Sequence, residues 1–332
     1  MFRLLRLVVF VAIAIGVSMW ISESRGDVGI DRVMVTDPVS GKPAPTTVWY
    51  PSDAPAKSME LGPYSFRAAP GAVPNGTARG LIVVSHGSGG SSLAHIDTAT
   101  ALVEAGFVVA APRHPGDNFG NAFDRGTWQV FAGRPRTMSA VVDTVRADPR
   151  FAEILTEKPT GALGLSMGGY TVLALVGGVP NLKALAAFCE DNAHDAYCAL
   201  GAARPSAGEQ EKSLTGLADP RIRAAVAIAP ATALFADDAF ASIAVPLRFY
   251  VAGQDGIVHP DQHAERFRAY FAPGIEYVRV EVAGHVSFTT PLPKAITWAM
   301  PAFLRDPKGF DRETFLKNWN RDIVAYFEKN LR

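Results

Sequence analysis

The chain has 332 residues, no formal net charge at pH 7, and 48% hydrophobic against 19% charged residues. That is enough apolar material for a packed core and too little charge for extended disorder. No Lys/Arg run or acidic block stands out, which argues against nucleic acid as a partner.

The first 26 residues read as a targeting segment. Arg3 and Arg6 precede an apolar run over residues 7–21, and residues 22–26 turn polar with small side chains suited to cleavage. The run is shorter than the roughly 20 residues of a membrane-spanning helix, so a cleaved secretory signal is expected, with an uncleaved anchor as the alternative. The expected location is the periplasm or the exterior. Membrane contact is expected only through an uncleaved N-terminal segment. Residues 27–332 read as a single domain.

Two strands are predicted within residues 31–51, around a turn at 38–42. Residues 52–79, rich in Pro, Gly, Ala and Ser, read as a long connection, with Asn75-Gly76-Thr77 as a surface turn. A strand–helix alternation follows. Apolar strands are expected at 80–85, 107–112, 160–165, 224–230, 247–253 and 276–282, and helices at 95–105 and 138–147. Continuous apolar strands between helices imply a mostly parallel sheet covered on both faces. Residues 188–220 break this rhythm and read as a loop-rich insertion near the top of the sheet. They hold the only cysteines, Cys189 and Cys198. In an exported protein a local disulfide is expected, the alternative being two reduced, buried thiols. No Cys/His spacing resembles a zinc site. A final helix is predicted within residues 307–332, with Phe315, Trp319, Ile323 and Phe327 as a core-facing stripe.

The chemistry centres on Gly164-Leu165-Ser166-Met167-Gly168-Gly169. This G-x-S-x-G sits where an apolar strand turns into a helix, the setting of a nucleophile elbow with the serine hydroxyl at its tip. Serine is a weak nucleophile until a base takes its proton and a third group orients that base. Two partners follow in the expected order, each just past a strand and each near a glycine: Asp255 in Gly253-Gln254-Asp255-Gly256, and His285 in Ala283-Gly284-His285. Only His285 follows the last strand. His259 and His263 read as cap or surface residues, and His114 as a residue that lines the pocket or packs locally. Asp237, Asp238 and Asp261 are rivals to Asp255. Two of them trail a strand by several residues, and the third belongs to a helix start. The developing oxyanion needs backbone donors. The Met167 N–H is expected to be one. The other is expected from the loop His86-Gly87-Ser88-Gly89-Gly90, at Ser88, with Gly87 next. A phosphate-cradling role for that loop is disfavoured, since no G-K-[ST] follows it.

With these residues placed, the chain resembles the α/β-hydrolase superfamily over about residues 30–305. More narrowly it resembles an exported bacterial group labelled predicted dienelactone hydrolases, similar to platelet-activating-factor acetylhydrolases and to polyester-cleaving lipases. The resemblance rests on the segments 83–90, 111–117, 164–169 and 219–226. It departs in two places. Dienelactone hydrolases carry a cysteine nucleophile where this chain has Ser166. The acetylhydrolases place their acid directly after the strand that here ends at Pro230, a slot that cannot serve. The run from Asp255 to Pro260 is closer to the lipase and cutinase arrangement. The resemblance implies a serine carboxylic-ester hydrolase acting through an acyl-enzyme, without cofactor or metal, on short-acyl or small aromatic esters. An amidase or peptidase using the same triad, or a non-catalytic binding protein of the same fold, are the alternative readings.

Overall fold

The computed structural model describes residues 27–199 and 205–332. The expected targeting segment, residues 1–26, lies outside them. The described part is built on ten strands: β1 (Asp27–Thr36), β2 (Pro43–Ser52), β3 (Lys57–Leu61), β4 (Tyr64–Pro70), β5 (Leu81–Ser85), β6 (Val108–Pro112), β7 (Thr160–Leu165), β8 (Ile222–Ile228), β9 (Leu247–Ala252) and β10 (Ile275–Val280). They lie in the order β10-β9-β8-β7-β5-β6-β2-β1-β4-β3. From β10 through β6 every neighbour pair is parallel, and β2 and β1 add to that block antiparallel. Strands β5, β6 and β7 are buried at every position, as their unbroken apolar sequences require when both faces are covered.

The cover comes in two helix pairs. Helix α1 (Ile96–Glu104) packs against the C-terminal helix (Arg312–Asn330), and the Thr98 hydroxyl donates to Asn320 Oδ1 at 2.8 Å. Trp319, Ile323 and Phe327 of the predicted stripe are buried there. Each contributes on the order of 1.5–3 kcal/mol by leaving water. The second pair is α2 (Trp128–Ala147) and α3 (Met167–Leu175).

Helix α2 begins ten residues earlier than the sequence pattern suggested, and it runs through Gly133 and Pro135. Proline cannot donate to the carbonyl four residues back. Here that carbonyl, Phe131 O, instead receives the Tyr170 hydroxyl at 2.9 Å, so tertiary packing replaces the missing bond. The second departure is the region expected to be a plain connection. Residues 52–79 contain the β3–β4 hairpin, turned at Gly62 with φ +60°. Its residues are largely half-buried or exposed, so it leaves little apolar signal.

The chain runs from β5 to β6 on one side, then crosses back to β7 on the other side of β5. Such a reversal opens a crevice at the carboxyl ends of the strands, where open α/β sheets bind ligands. Beyond β7 the irregular region expected at 188–220 starts inside α4 (Leu182–Asp191), whose N-cap Asn181 accepts from Lys183 N and Ala184 N. Cys189 and Cys198 are joined in a disulfide nine residues apart in sequence. Among the described residues no helix is long and apolar enough to cross a membrane.

Closing so short a loop removes denatured-state entropy worth about 2–3 kcal/mol. Replacing both cysteines by serine should lower the unfolding free energy by about that amount in urea titrations. Coincident curves for the two proteins would show that the crosslink does not stabilise the fold.

Candidate active site

Every residue expected to carry chemistry follows the carboxyl end of a parallel strand: Ser88 after β5, Ser166 after β7, Asp255 after β9 and His285 after β10. The elbow is the tightest of these turns. Ser166 has φ +58° and ψ −117°, a conformation that costs a non-glycine residue roughly 1–3 kcal/mol. The surroundings impose it. Ser166 N donates to Ile228 O at 2.9 Å, while Ser166 O accepts from Tyr170 N at 2.9 Å and from Ala231 N at 3.1 Å.

The motif's glycines are explained by backbone meeting backbone. A Cβ on Gly164 would stand 2.2 Å from Gly168 O, one on Gly168 would stand 1.9 Å from Ser85 O, and one on Gly169 would meet Pro230 at 2.7 Å. Helix α3 therefore rests directly on the ends of β5 and β8. Met167 opens that helix, so its N–H has no intrahelical acceptor.

Asp255 and His285 meet. His285 Nδ1 lies 2.7 Å from Asp255 Oδ2, and both side chains are buried. An ionised carboxylate only accepts, so Nδ1 carries the proton and Nε2 is left as the basic nitrogen. Asp255 Oδ1 accepts from Ile257 N at 2.8 Å and Val258 N at 3.0 Å, which fixes the carboxylate. The rivals stand elsewhere: Asp237, Asp238 and Asp261 are exposed. Among the described residues no hydrogen bond joins Ser166 Oγ to His285. Such contacts are often long without substrate and tighten in the complex.

The loop after β5 is a tight turn in which Gly90 N donates to Gly87 O at 3.0 Å and Gly89 takes φ +66°. Ser88 occupies the turn, and among the described residues its N–H has no acceptor. Gly87 lies against Ser166, since a Cβ there would be 3.4 Å from Ser166 Cβ. Beneath the loop, His86 Nδ1–H donates to Gly87 O at 2.7 Å and His86 Nε2 accepts from His114 N at 3.1 Å. His114 packs locally, with Nε2 2.9 Å from Ser85 Oγ. Burial, reinforced by the charge of Arg134, pushes the His86 pKa down to about 3. Burial alone takes His95, at the start of α1, down to about 4.

His259 is exposed, as expected of a surface residue, and stands at the N-cap position of a short helix (Pro260–His263) without a side-chain capping bond. His263 is not a surface residue. It is buried, packs edge-on against Phe188 and Tyr197, and lies 3.5 Å from Asp195. The disulfide segment thereby reaches the elbow, where Tyr197 Oη donates to Met167 Sδ at 3.3 Å. Among the described residues no cluster of three or more His, Cys, Asp or Glu is gathered for a metal.

Sequence reading missed Arg134, 1% exposed in the middle of α2, and did not single out its partner Asp117, also 1% exposed. The sequence Phe131-Ala132-Gly133-Arg134-Pro135-Arg136 offered little signal, since it carries two arginines and only the first is buried.

No protein-family model and no curated protein matches this chain. Among solved structures, the ferulic acid esterase from Streptomyces cinnamoneus is similar over 92% of this chain and 90% of its own, with a TM-score of 0.60 and 18% sequence identity. The architecture is the α/β-hydrolase fold.

Two expectations follow. Gly168→Ala should destabilise the protein by about 1–3 kcal/mol, because backbone must move to admit the methyl group. Gly208→Ala, with none of the described residues within 4 Å of the added carbon, is the control. Equal melting temperatures for the two variants would contradict the close approach. The second concerns acid. His95 is neutral in the fold but titrates near 6.5 when unfolded. Between about pH 6.5 and 4 the unfolded chain takes up a proton that the fold excludes, so stability falls as pH falls, and this contribution levels off below about 4. In urea titrations from pH 7 to 4.5, His95→Leu should flatten that fall by up to about 1.4 kcal/mol per pH unit. An unchanged slope would mean that His95 is not held neutral.

Proposed function

We propose that this protein is a serine carboxylic-ester hydrolase in which Ser166, His285 and Asp255 are the catalytic residues. The observation that carries the reading is the buried Asp255–His285 hydrogen bond of 2.7 Å, on the same strand-end crevice as a strained serine elbow. The similarity to a ferulic acid esterase supports an ester as substrate.

In this mechanism Ser166 Oγ attacks the ester carbonyl and His285 Nε2 takes the hydroxyl proton. Asp255 holds the imidazole in the required tautomer and stabilises the imidazolium. The N–H groups of Met167 and Ser88 receive the tetrahedral oxyanion. Collapse expels the alcohol with the proton from His285, and water hydrolyses the acyl-enzyme by the same route. The substrates proposed are short-acyl or small aromatic esters. Export is proposed from the N-terminal pattern, and a disulfide on the site's border suits an oxidising compartment.

The test is turnover of p-nitrophenyl esters of increasing acyl length, with the matching anilides in parallel. Ester hydrolysis should exceed anilide hydrolysis, and Ser166→Ala should lower kcat by at least about a thousandfold. Full activity in that variant would remove Ser166 as nucleophile. Anilide turnover equal to ester turnover would favour an amidase.

A further inference from the structure

One guanidinium spans both halves of the oxyanion site. Arg134 Nε donates to Thr171 Oγ1 at 3.2 Å, and the Thr171 hydroxyl donates to Met167 O at 2.8 Å. Arg134 Nη2 donates to Ser85 Oγ at 3.3 Å and to His86 O. Nη1 donates to Asp117 Oδ2 at 2.8 Å. The other oxygen of Asp117 accepts from Ser88 Oγ at 2.6 Å, from Gly89 N at 3.1 Å and from Arg125 Nε at 3.2 Å. An unbroken series of hydrogen bonds thus runs from the Met167 carbonyl, on the same residue as the Met167 N–H at the start of α3, through Thr171, Arg134 and Asp117 to the turn that presents Ser88.

Stability does not account for this arrangement. Taking a guanidinium and a carboxylate out of water is unfavourable, and a buried ion pair often contributes no more than apolar side chains of the same volume. What arginine offers is geometry: a planar, always-charged fork whose donors stand at fixed angles. Here the fork touches three separate segments: the end of β5, the elbow helix and the loop after β6. Catalysis by an oxyanion pocket depends on donors held in place before charge develops.

We infer that Arg134 is a positioning residue that sets the Met167 and Ser88 amides relative to one another, with Asp117 relaying its hold to the Ser88 turn. This rests on the serine-hydrolase reading. Arg134 touches no substrate. It acts on the transition state through the spacing of two amides, so its loss should appear in kcat rather than in KM.

The test uses the purified protein and the variants Arg134→Lys, Ser88→Ala, Ser88→Thr and Ser166→Ala. Three quantities are read: kcat and KM on a p-nitrophenyl ester, inhibition by an aryl trifluoromethyl ketone, and melting temperature. The ketone accepts the serine oxygen as a tetrahedral adduct and so reports on the oxyanion pocket. Lysine keeps the charge and loses the fork. Arg134→Lys should lower kcat by about 10- to 100-fold and weaken the ketone by the same factor, with KM within about threefold. Ser88→Ala keeps its amide and loses the tie to Asp117. It should lose about 3- to 10-fold in the same pattern, and Ser88→Thr, which keeps a hydroxyl, should recover most of it. If Arg134→Lys does not fold, the Ser88 pair decides. Variants that fold with kcat and ketone affinity within about twofold of the parent overturn the inference, as does a loss confined to KM or to melting temperature. Turnover that persists in Ser166→Ala overturns the serine-hydrolase reading itself. Turnover abolished there, with Arg134→Lys and Ser88→Ala unaffected, overturns only the positioning role.

Discussion

The contact between Gly168 and the carbonyl of Ser85 leaves no space for a side chain, and the geometry of the crevice follows from it. Because α3 begins hard against the end of β5, the chain leaving β7 must reverse within one residue. That residue is Ser166, and the reversal forces its left-handed backbone. The same closeness brings the free N–H of Met167 beside the loop that leaves β5. The strain is held by three backbone hydrogen bonds to Ser166, two of them to the end of β8 or the segment just after it. A site built this way is only as precise as the sheet beneath it, and strands buried on both faces are the most rigid support the fold offers.

Around this frame, two buried carboxylates are each held by a side-chain partner and by further hydrogen bonds. Asp255 meets His285 and two backbone amides, and Asp117 meets Arg134 and the Ser88 turn. The remaining imidazoles near the β5 loop, His86 and His114, are driven neutral by burial and by the neighbouring guanidinium. Neutral rings can donate and accept at once, which lets His86 bridge Gly87 O and His114 N. A charged ring there would repel Arg134 and could no longer accept the His114 amide.

What was legible in the sequence was whatever the backbone could not tolerate otherwise. Gly164, Gly168 and Gly169 stand where main chain touches main chain, so they mark the elbow in plain letters. The doubly covered strands show as apolar runs, and Asp255 and His285 could be found by their places after the last two. The β3–β4 hairpin escaped because exposed strands carry no strong pattern. The first half of α2 escaped because Gly133 and Pro135 oppose a helix locally, and only Tyr170, from another helix, compensates. Arg134 escaped for a related reason: its partners Asp117 and Thr171 lie 17 and 37 residues away, and no local spacing announces them. His263 was read as a cap or surface residue because its cover comes from the disulfide segment, which is distant in sequence.

The order of the strands also decides what the two borders of the sheet present to other chains. An open sheet ends in unpaired amides and carbonyls that can recruit a foreign strand. Here one border is β3, five residues long, with Lys57 and Glu60 on it. The other is β10, six residues long, with Glu276 and Arg279. On β10 those charges are engaged sideways, Glu276 by Arg248 and Arg279 by Glu265 and Glu281. A strand docking on either border would have to strip water from charged groups along a short ladder, for few hydrogen bonds in return. The parallel block is slow to assemble because its pairings are distant in sequence. The borders of the whole sheet are nevertheless poor templates for the cross-β association to which slowly folding sheets are exposed.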